Sequence, residues 1–233
     1  MQLFTNLKEA LLHLAFPHTC AGCGTDVLES DQPVCLRCSE ALPVTHFEKF
    51  SNNAVEKLLW GRLPVQAASA RYYFTKASLM QRLMHQFKYR GHKETGFYLG
   101  RQIGMGLQET SRFSTIEALV PLPLFAAKER ARGFNQALIL CNGIADVLQV
   151  PVLQHSVRRT AHTESQTTKS RVDRWQNIEG RFEVTGAESL AGKHLLLVDD
   201  VITTGATLEA CGRALLAVPN MQLSIATLCV ASE

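Results

Sequence analysis

The sequence predicts an α/β protein: a mostly parallel sheet flanked by helices, with a small four-cysteine module ahead of it. Three observations carry this. From residue 116 onward, apolar runs of strand length alternate with helical patterns, which implies parallel strands covered on both faces. The run Leu195 to Val198 leads straight into two carboxylates and a turn rich in hydroxyls and glycine. Four of the seven cysteines, Cys20, Cys23, Cys35 and Cys38, fall within nineteen residues.

Composition sets the outer bounds. The chain has 233 residues, 46% of them hydrophobic and 19% charged. That is globular composition and excludes a collagen-like, low-complexity or wholly disordered chain. A chain of this length needs no disulfide staples to fold. The formal charge of +3 is too small to argue for a nucleic-acid partner by itself. No apolar run approaches the roughly 18 residues that a transmembrane segment needs, and no signal peptide is visible. The expectation is a cytoplasmic protein whose clustered cysteines hold metal rather than disulfides.

Taken in order, residues 2–15 put Leu3, Leu7, Leu11 and Leu14 on one helical face, and Pro17 stops the pattern. This reads as a packing helix, because a membrane-surface helix would carry a basic face. Residues 17–45 are rich in Cys, Gly and Pro and lack a period. Residues 53–61 read as a short helix, and 65–75, containing Ala70 to Phe74, as a strand. Leu79, Leu83 and Phe87, spaced by four, give a helix over 78–89, and a second helix spans 94–110. Ile116 to Leu122 is a strand followed by a polar loop, and Asn135 to Leu148 is a helix. Val150 to Leu153 starts a strand, 158–177 is a long polar loop, and Phe182 to Val184 is a short strand. His194 to Val198, Ala206 to Val218 and Leu223 to Val230 close the chain as strand, helix and strand. The expected division is an N-terminal helix and metal module over 1–62 and an α/β domain over 63–233. Cys141, Cys211 and Cys229 lie in apolar segments and read as packing residues.

The cysteine pattern is Cys20-x2-Cys23-x11-Cys35-x2-Cys38. Each C-x-x-C turn can aim both thiolates at one ion, and Gly22 and Gly24 relax the backbone where amides approach sulfur. Two such turns make a closed tetrahedral set that suits structural Zn²⁺. Four thiolates leave no position for a water nucleophile, so the site serves folding rather than catalysis. A redox role is disfavoured because neither pair lies between a strand and a helix of the α/β region. His18 is near enough to substitute as a ligand, but four cysteines make it unnecessary.

The most specific segment runs from Leu195 to Thr207. Ligands of α/β sheets bind outside the carboxyl ends of strands. A helix start offers unpaired N–H groups and partial positive charge to a phosphate. Gly205 lets the backbone come close to the anion, Ala206 opens the helix, and Thr203, Thr204 and Thr207 add hydroxyl donors. Asp199 and Asp200 would repel that phosphate. As acceptors they suit a vicinal diol, such as the ribose 2′- and 3′-hydroxyls. A phosphate at one end and a diol at the other describe a ribose 5-phosphate. The competing readings are a receiver-like Asp pair binding Mg²⁺ and a plain strand-to-helix turn. The Thr-Thr-Gly-Ala-Thr run argues against both.

These thirteen residues resemble the 5-phosphoribosyl 1-pyrophosphate (PRPP) signature of type I phosphoribosyltransferases. Val120-Pro121-Leu122-Pro123 and Lys128-Glu129-Arg130-Ala131-Arg132-Gly133-Phe134-Asn135-Gln136 resemble a characteristic block of the ComF family. Arg158-Arg159-Thr160 with Gln166 and Arg171, Lys88-Tyr89-Arg90-Gly91, and the four-cysteine module also resemble that family. The resemblance covers about residues 17–231 and implies a type I phosphoribosyltransferase-like fold with a zinc ribbon. It implies a place in natural competence, DNA uptake and the handling of single-stranded DNA. It further implies PRPP or another phosphoribosyl ligand with Mg²⁺, and DNA-import helicase or translocation partners at the inner face of the membrane.

If the protein is an enzyme, displacement at the anomeric carbon passes through an oxocarbenium-like state. The leaving pyrophosphate then needs positive charge. Lys128, Arg130 and Arg132 are the candidate anion ligands, and Asp199, Asp200 and Arg158 the candidate catalytic groups. The polar loop 158–177 is expected as a lid. If instead it is a binding factor, Lys128, Arg130, Arg132, Arg158, Arg159 and Arg171 line a path for single-stranded nucleic acid. Residues 121–175 carry a local charge of +4, and Phe134, Trp175, Tyr72, Tyr73 and Tyr89 are candidates for base stacking.

Overall fold

A computed structural model of the chain describes residues 18–29, 32–89, 91–160 and 182–231. The expected helix over 2–15, most of the 158–177 loop, and with it Arg171 and Trp175, lie outside the described residues.

Four strands make the central sheet: β1 (Ala68–Phe74), β2 (Ala118–Pro121), β5 (His194–Ile202) and β6 (Gln222–Ala231). Their order is β1-β6-β5-β2, and every pairing is parallel. Two short strands, β3 (Val157–Arg159) and β4 (Phe182–Val184), pair antiparallel beside it. The helices are α1 (Leu36–Glu40), α2 (Ala54–Leu59), α3 (Leu79–Tyr89), α4 (Lys93–Gln108), α5 (Ala126–Arg132), α6 (Gln136–Leu148), α7 (Ala187–Leu190) and α8 (Ala206–Leu216).

The sheet is buried on both faces, and the strand period of two sorts its side chains. From β5, Leu196 and Val198 enter one core with Met80, Leu83, Phe87, Leu99 and Leu140. Leu195 and Leu197 enter the other core with Val55, Leu59, Leu208 and Leu215. Cys141, Cys211 and Cys229 are buried in these cores, and burial pushes their thiols well up. They are packing residues, as the sequence suggested. On the first face α4 and α6 nearly touch. A Cβ at Gly143 would overlap the Phe97 carbonyl oxygen, and one at Gly100 the Leu140 carbonyl oxygen.

Both outer edges of the sheet are covered. Along β1, Thr45 N donates to Arg71 O at 3.0 Å and Tyr73 N to Pro43 O at 2.9 Å. Along β2, Leu119 N donates to Pro151 O at 2.9 Å, and its carbonyl accepts from Leu153 N at 2.8 Å. Unpaired edges invite association, and these short segments block it.

Three expectations are corrected. The polar loop after β2 contains α5, which buries none of its residues. The only apolar residues of α5 are Ala126, Ala127 and Ala131, too small to mark a buried stripe. The strand expected from Val150 reduces to one bridge, between Val152 and Leu119. β5 runs on past Val198 to Ile202, so both carboxylates lie within the strand. Among the described residues no helix is long and apolar enough to cross a membrane.

Candidate functional site

The carboxyl end of β5 delivers Asp199 and Asp200, both half-buried, to the rim of the sheet. The chain then turns through Thr203 and Thr204 to Gly205, which caps α8 at a φ of 75°. That left-handed conformation suits glycine, and a Cβ there would also press on Leu59 Cδ2 at 3.3 Å. A cleft of about 50 Å³ opens at this turn, lined by Asp199, Thr203, Thr204, Gly205, Ala206 and Thr207 among others.

An arginine from the other end of the sequence shapes that turn. Arg62 Nη1 donates to Thr204 O at 2.7 Å and to Leu58 O at 2.9 Å. Its Nε and Nη2 reach Glu209 Oε2 on α8 at 2.8 and 2.5 Å. One guanidinium thus ties α2, the turn and α8 together. Burial pushes Glu209 up, but Arg213 and Arg62 beside it hold its carboxyl below the ordinary value.

The two aspartates differ in their surroundings. Asp199 Oδ1 accepts from its neighbour's backbone, Asp200 N, at 2.8 Å. Asp200 Oδ2 takes an ion pair from Lys88 Nζ, at the end of α3, at 2.7 Å. Burial, and then the Asp200 charge, push Asp199 up to about 8, against the pull of the Asp200 N–H, Lys88 and Arg159. Asp199 therefore keeps its proton more readily than an ordinary carboxyl group, and a protonated carboxyl can donate a hydrogen bond as well as accept one, which suits hydroxyl partners.

The remaining basic residues separate. Lys128 and Arg130 are exposed on α5. Arg132 lies over the Tyr89 ring at 5.5 Å and donates to Gln136 Oε1. Asn135 caps α6, accepting from Ala137 N at 2.9 Å, and donates to Leu122 O at 3.0 Å. Arg159 stacks over Phe125 at 3.7 Å and acts on Asp199 by its charge. Arg158, beside it, is exposed and paired with Glu183 across the β3–β4 register, with contacts of 2.8 to 3.0 Å. The structure therefore gathers Asp199, Asp200 and 203–207, adding Lys88 and Arg62. Sequence reasoning quoted Lys88 only as part of a motif, and passed over Arg62 and Glu209. Arg62 carries no local signal, because it meets Thr204 from 142 residues away.

The four cysteines converge. Their Sγ atoms all lie within 4.8 Å of one another, and Cys23 and Cys35 are 3.7 Å apart. A tetrahedral thiolate shell around zinc has edges of about 3.8 Å, so the donor set can hold a metal ion. Backbone N–H groups of Gly22 and Cys35 point at Cys20 Sγ from 3.4 and 3.2 Å. Burial raises Cys20, but the backbone donors of Cys35, Cys23 and Gly22 outweigh it and lower the thiol to about 6. This favours the thiolate at Cys20, whereas burial and the neighbouring sulfurs push the Cys38 thiol up. His18 is exposed and outside the cluster. The module grips the helices behind it: Arg82 Nε donates to Gly22 O at 3.2 Å, and Ser39 Oγ meets Tyr98 Oη at 2.7 Å.

The phosphoribosyl transferase domain family matches residues 134–233, from the start of α6 through β6. Together with the parallel sheet and the turn after β5, this gives a phosphoribosyltransferase-type fold preceded by a four-cysteine module. Competence protein F of Haemophilus influenzae is 28% identical, covering 88% of this chain and 86% of its own. DNA utilization protein YhgH of Escherichia coli K12 is 28% identical, covering 80% and 79%. Competence protein ComFC of Bacillus subtilis is 32% identical, covering 63% and 57%. The chain is thus similar, over most of its length, to proteins named for competence and DNA utilization. Among solved structures, an adenine phosphoribosyltransferase of Saccharomyces cerevisiae aligns at 16% identity over 62% of this chain and 71% of its own, with a TM-score of 0.37.

Proposed function

We propose that the chain binds a phosphorylated ribose, either PRPP or a nucleotide phosphate, and works in the handling of single-stranded DNA. The 203–207 turn takes the 5-phosphate, and Asp199 with Asp200 takes the ribose hydroxyls. The observation that carries this reading is the half-buried carboxylate pair set beside a glycine turn that Arg62 braces. A diol reaching Asp200 competes with Lys88, and the displaced cation is then free for an anionic group of the same ligand. Mg²⁺ arriving with PRPP would supply further charge to the pyrophosphate. Asp200 and the Thr hydroxyls are the groups within this chain to receive that complex. The cysteine cluster is read as structural Zn²⁺. The names of the relatives support the DNA role, as do the exposed Lys128, Arg130 and Arg158, with import proteins at the inner membrane face as partners.

Isothermal titration with PRPP and Mg²⁺ tests the first part. Wild-type protein should bind, and Asp200→Ala and Arg62→Ala should each lose about tenfold or more in affinity. No binding of PRPP or ribose 5-phosphate overturns the reading. Pyrophosphate release with a panel of bases separates a transferase from a binding protein. For DNA, affinity should fall with salt and fall again in the Arg130→Ala plus Arg132→Ala protein. A flat salt response counts against that role.

A further inference from the structure

We propose that residues 2–15 dock along α4 as an amphipathic helix and fill an apolar groove bounded by α4, α6 and the cysteine module. The groove measures about 780 Å³. It is lined by Glu94, Phe97, Arg101 and Met105 along one stripe of α4, by Ile139 of α6 and by Pro33 of the cysteine module. Another stripe of α4, through Leu99, Ile103 and Leu107, already fills the core. Phe97 is nevertheless 37% exposed and Met105 45% exposed. Single exposed apolar residues are common and need no explanation, but these two share one groove. Apolar surface gathered in this way marks an interaction site.

The path of the chain selects the occupant. Ala21 N donates to Pro33 O at 2.8 Å, so the backbone at residue 21 touches the lining of the groove. Leu14 lies seven residues earlier, at most about 25 Å of extended chain away. The segment is thus tethered beside the groove, and a tether this short supplies an effective concentration of order millimolar. The lengths also agree. Leu3, Leu7, Leu11 and Leu14 form a stripe that spans eleven residues, as does the stripe from Glu94 to Met105. At the helical rise both are about 16 Å long.

The chemistry of the groove favours leucine over an anion. Asp146 of α6 engages Arg101, and Lys93 Nζ sits over the Phe134 ring at 5.4 Å. Residues 2–15 carry two charges at neutral pH, Lys8 and Glu9, which cancel. They therefore offer an apolar face without net charge, and they lack the basic face that a membrane surface would select. Docking would hold the cysteine module against α4 from a further side. It would add to the Arg82–Gly22 and Ser39–Tyr98 contacts that already tie the module down.

Hydrogen exchange on the full chain tests the docking. In wild type the amides of residues 5–15 should exchange at least about tenfold more slowly than in an unstructured chain, which a free helix this short would not achieve. Phe97→Asp and Met105→Asp should each remove that protection while α8 and β6 stay protected. Thermal melts read the coupling. Met105→Asp and the Leu7→Asp plus Leu11→Asp protein should each lower the melting temperature by about 4 °C, and all three changes together by little more than either set alone. Should an aspartate unfold the chain, Met105→Ala and Leu11→Ala complete the same cycle. Unprotected amides in wild type, protection that survives both groove variants, or losses that add each overturn the docking. Protection that appears only where light scattering finds a dimer, or only with phosphatidylglycerol vesicles, assigns the segment to a second copy or to a membrane and also overturns it.

Discussion

Asp199 is held where a carboxylate is poorly solvated and next to a second one. That placement has a measurable cost with a definite sign. In the unfolded chain Asp199 releases its proton near 3.8, whereas in the folded protein it keeps it to about 8. Below pH 4 both states hold the proton and the residue is neutral to stability. Between about 4 and 8 the unfolded state gives up a proton that the folded state retains, so this residue's contribution becomes less favourable as pH rises. Above 8 the penalty is complete. Asparagine has no proton to lose and can still accept from Asp200 N–H. Asp199→Asn should therefore match wild type in melting temperature near pH 4 and exceed it increasingly toward pH 8. Parallel thermal melts across that range check it, and a constant difference would refute it. A carboxyl group held at such a cost fits the ligand-binding role proposed for it.

At the scale of elements, the tightest junction is between α4 and α6. Glycine at 100 and 143 lets the two backbones meet without side chains between them. Gly143→Val forces them apart and should cost about 2 kcal/mol or more, read as a lowered midpoint in urea. The same junction shows what a sequence can reveal. The helical periods of 78–89, 94–110 and 135–148 were legible because each buries one face. α5 was not, because it buries no face at all and is shaped by helix-forming residues and the left-handed Gly133 at its end. The site divides in the same way. Asp199 to Thr207 is contiguous and announces itself, as do the cysteines. Arg62 and Lys88 meet partners remote in the chain, and only folding makes them neighbours of the 203–207 turn and of Asp200.

At the scale of the whole molecule, the cysteine cluster belongs to the same core as the sheet. Cys20, Cys35 and Cys38 pack in one cluster with Met80, Leu83 and Leu99. Loss of metal should therefore weaken the entire fold rather than release a tail. Treatment with a strong chelator is expected to lower the melting temperature by about 5 °C or more. Cys35→Ser should reproduce the loss without chelator, and an unchanged melt in both would argue against a structural ion. The strand order carries a consequence for synthesis. β6, latest in sequence among the described strands, lies between β1 and β5 rather than at an edge. While the ribosome is still making it, β1 and β5 each face a gap that only β6 can fill. The sheet closes after translation of β6, and stalled or prematurely ended chains carry two open, apolar strand edges into a crowded cell.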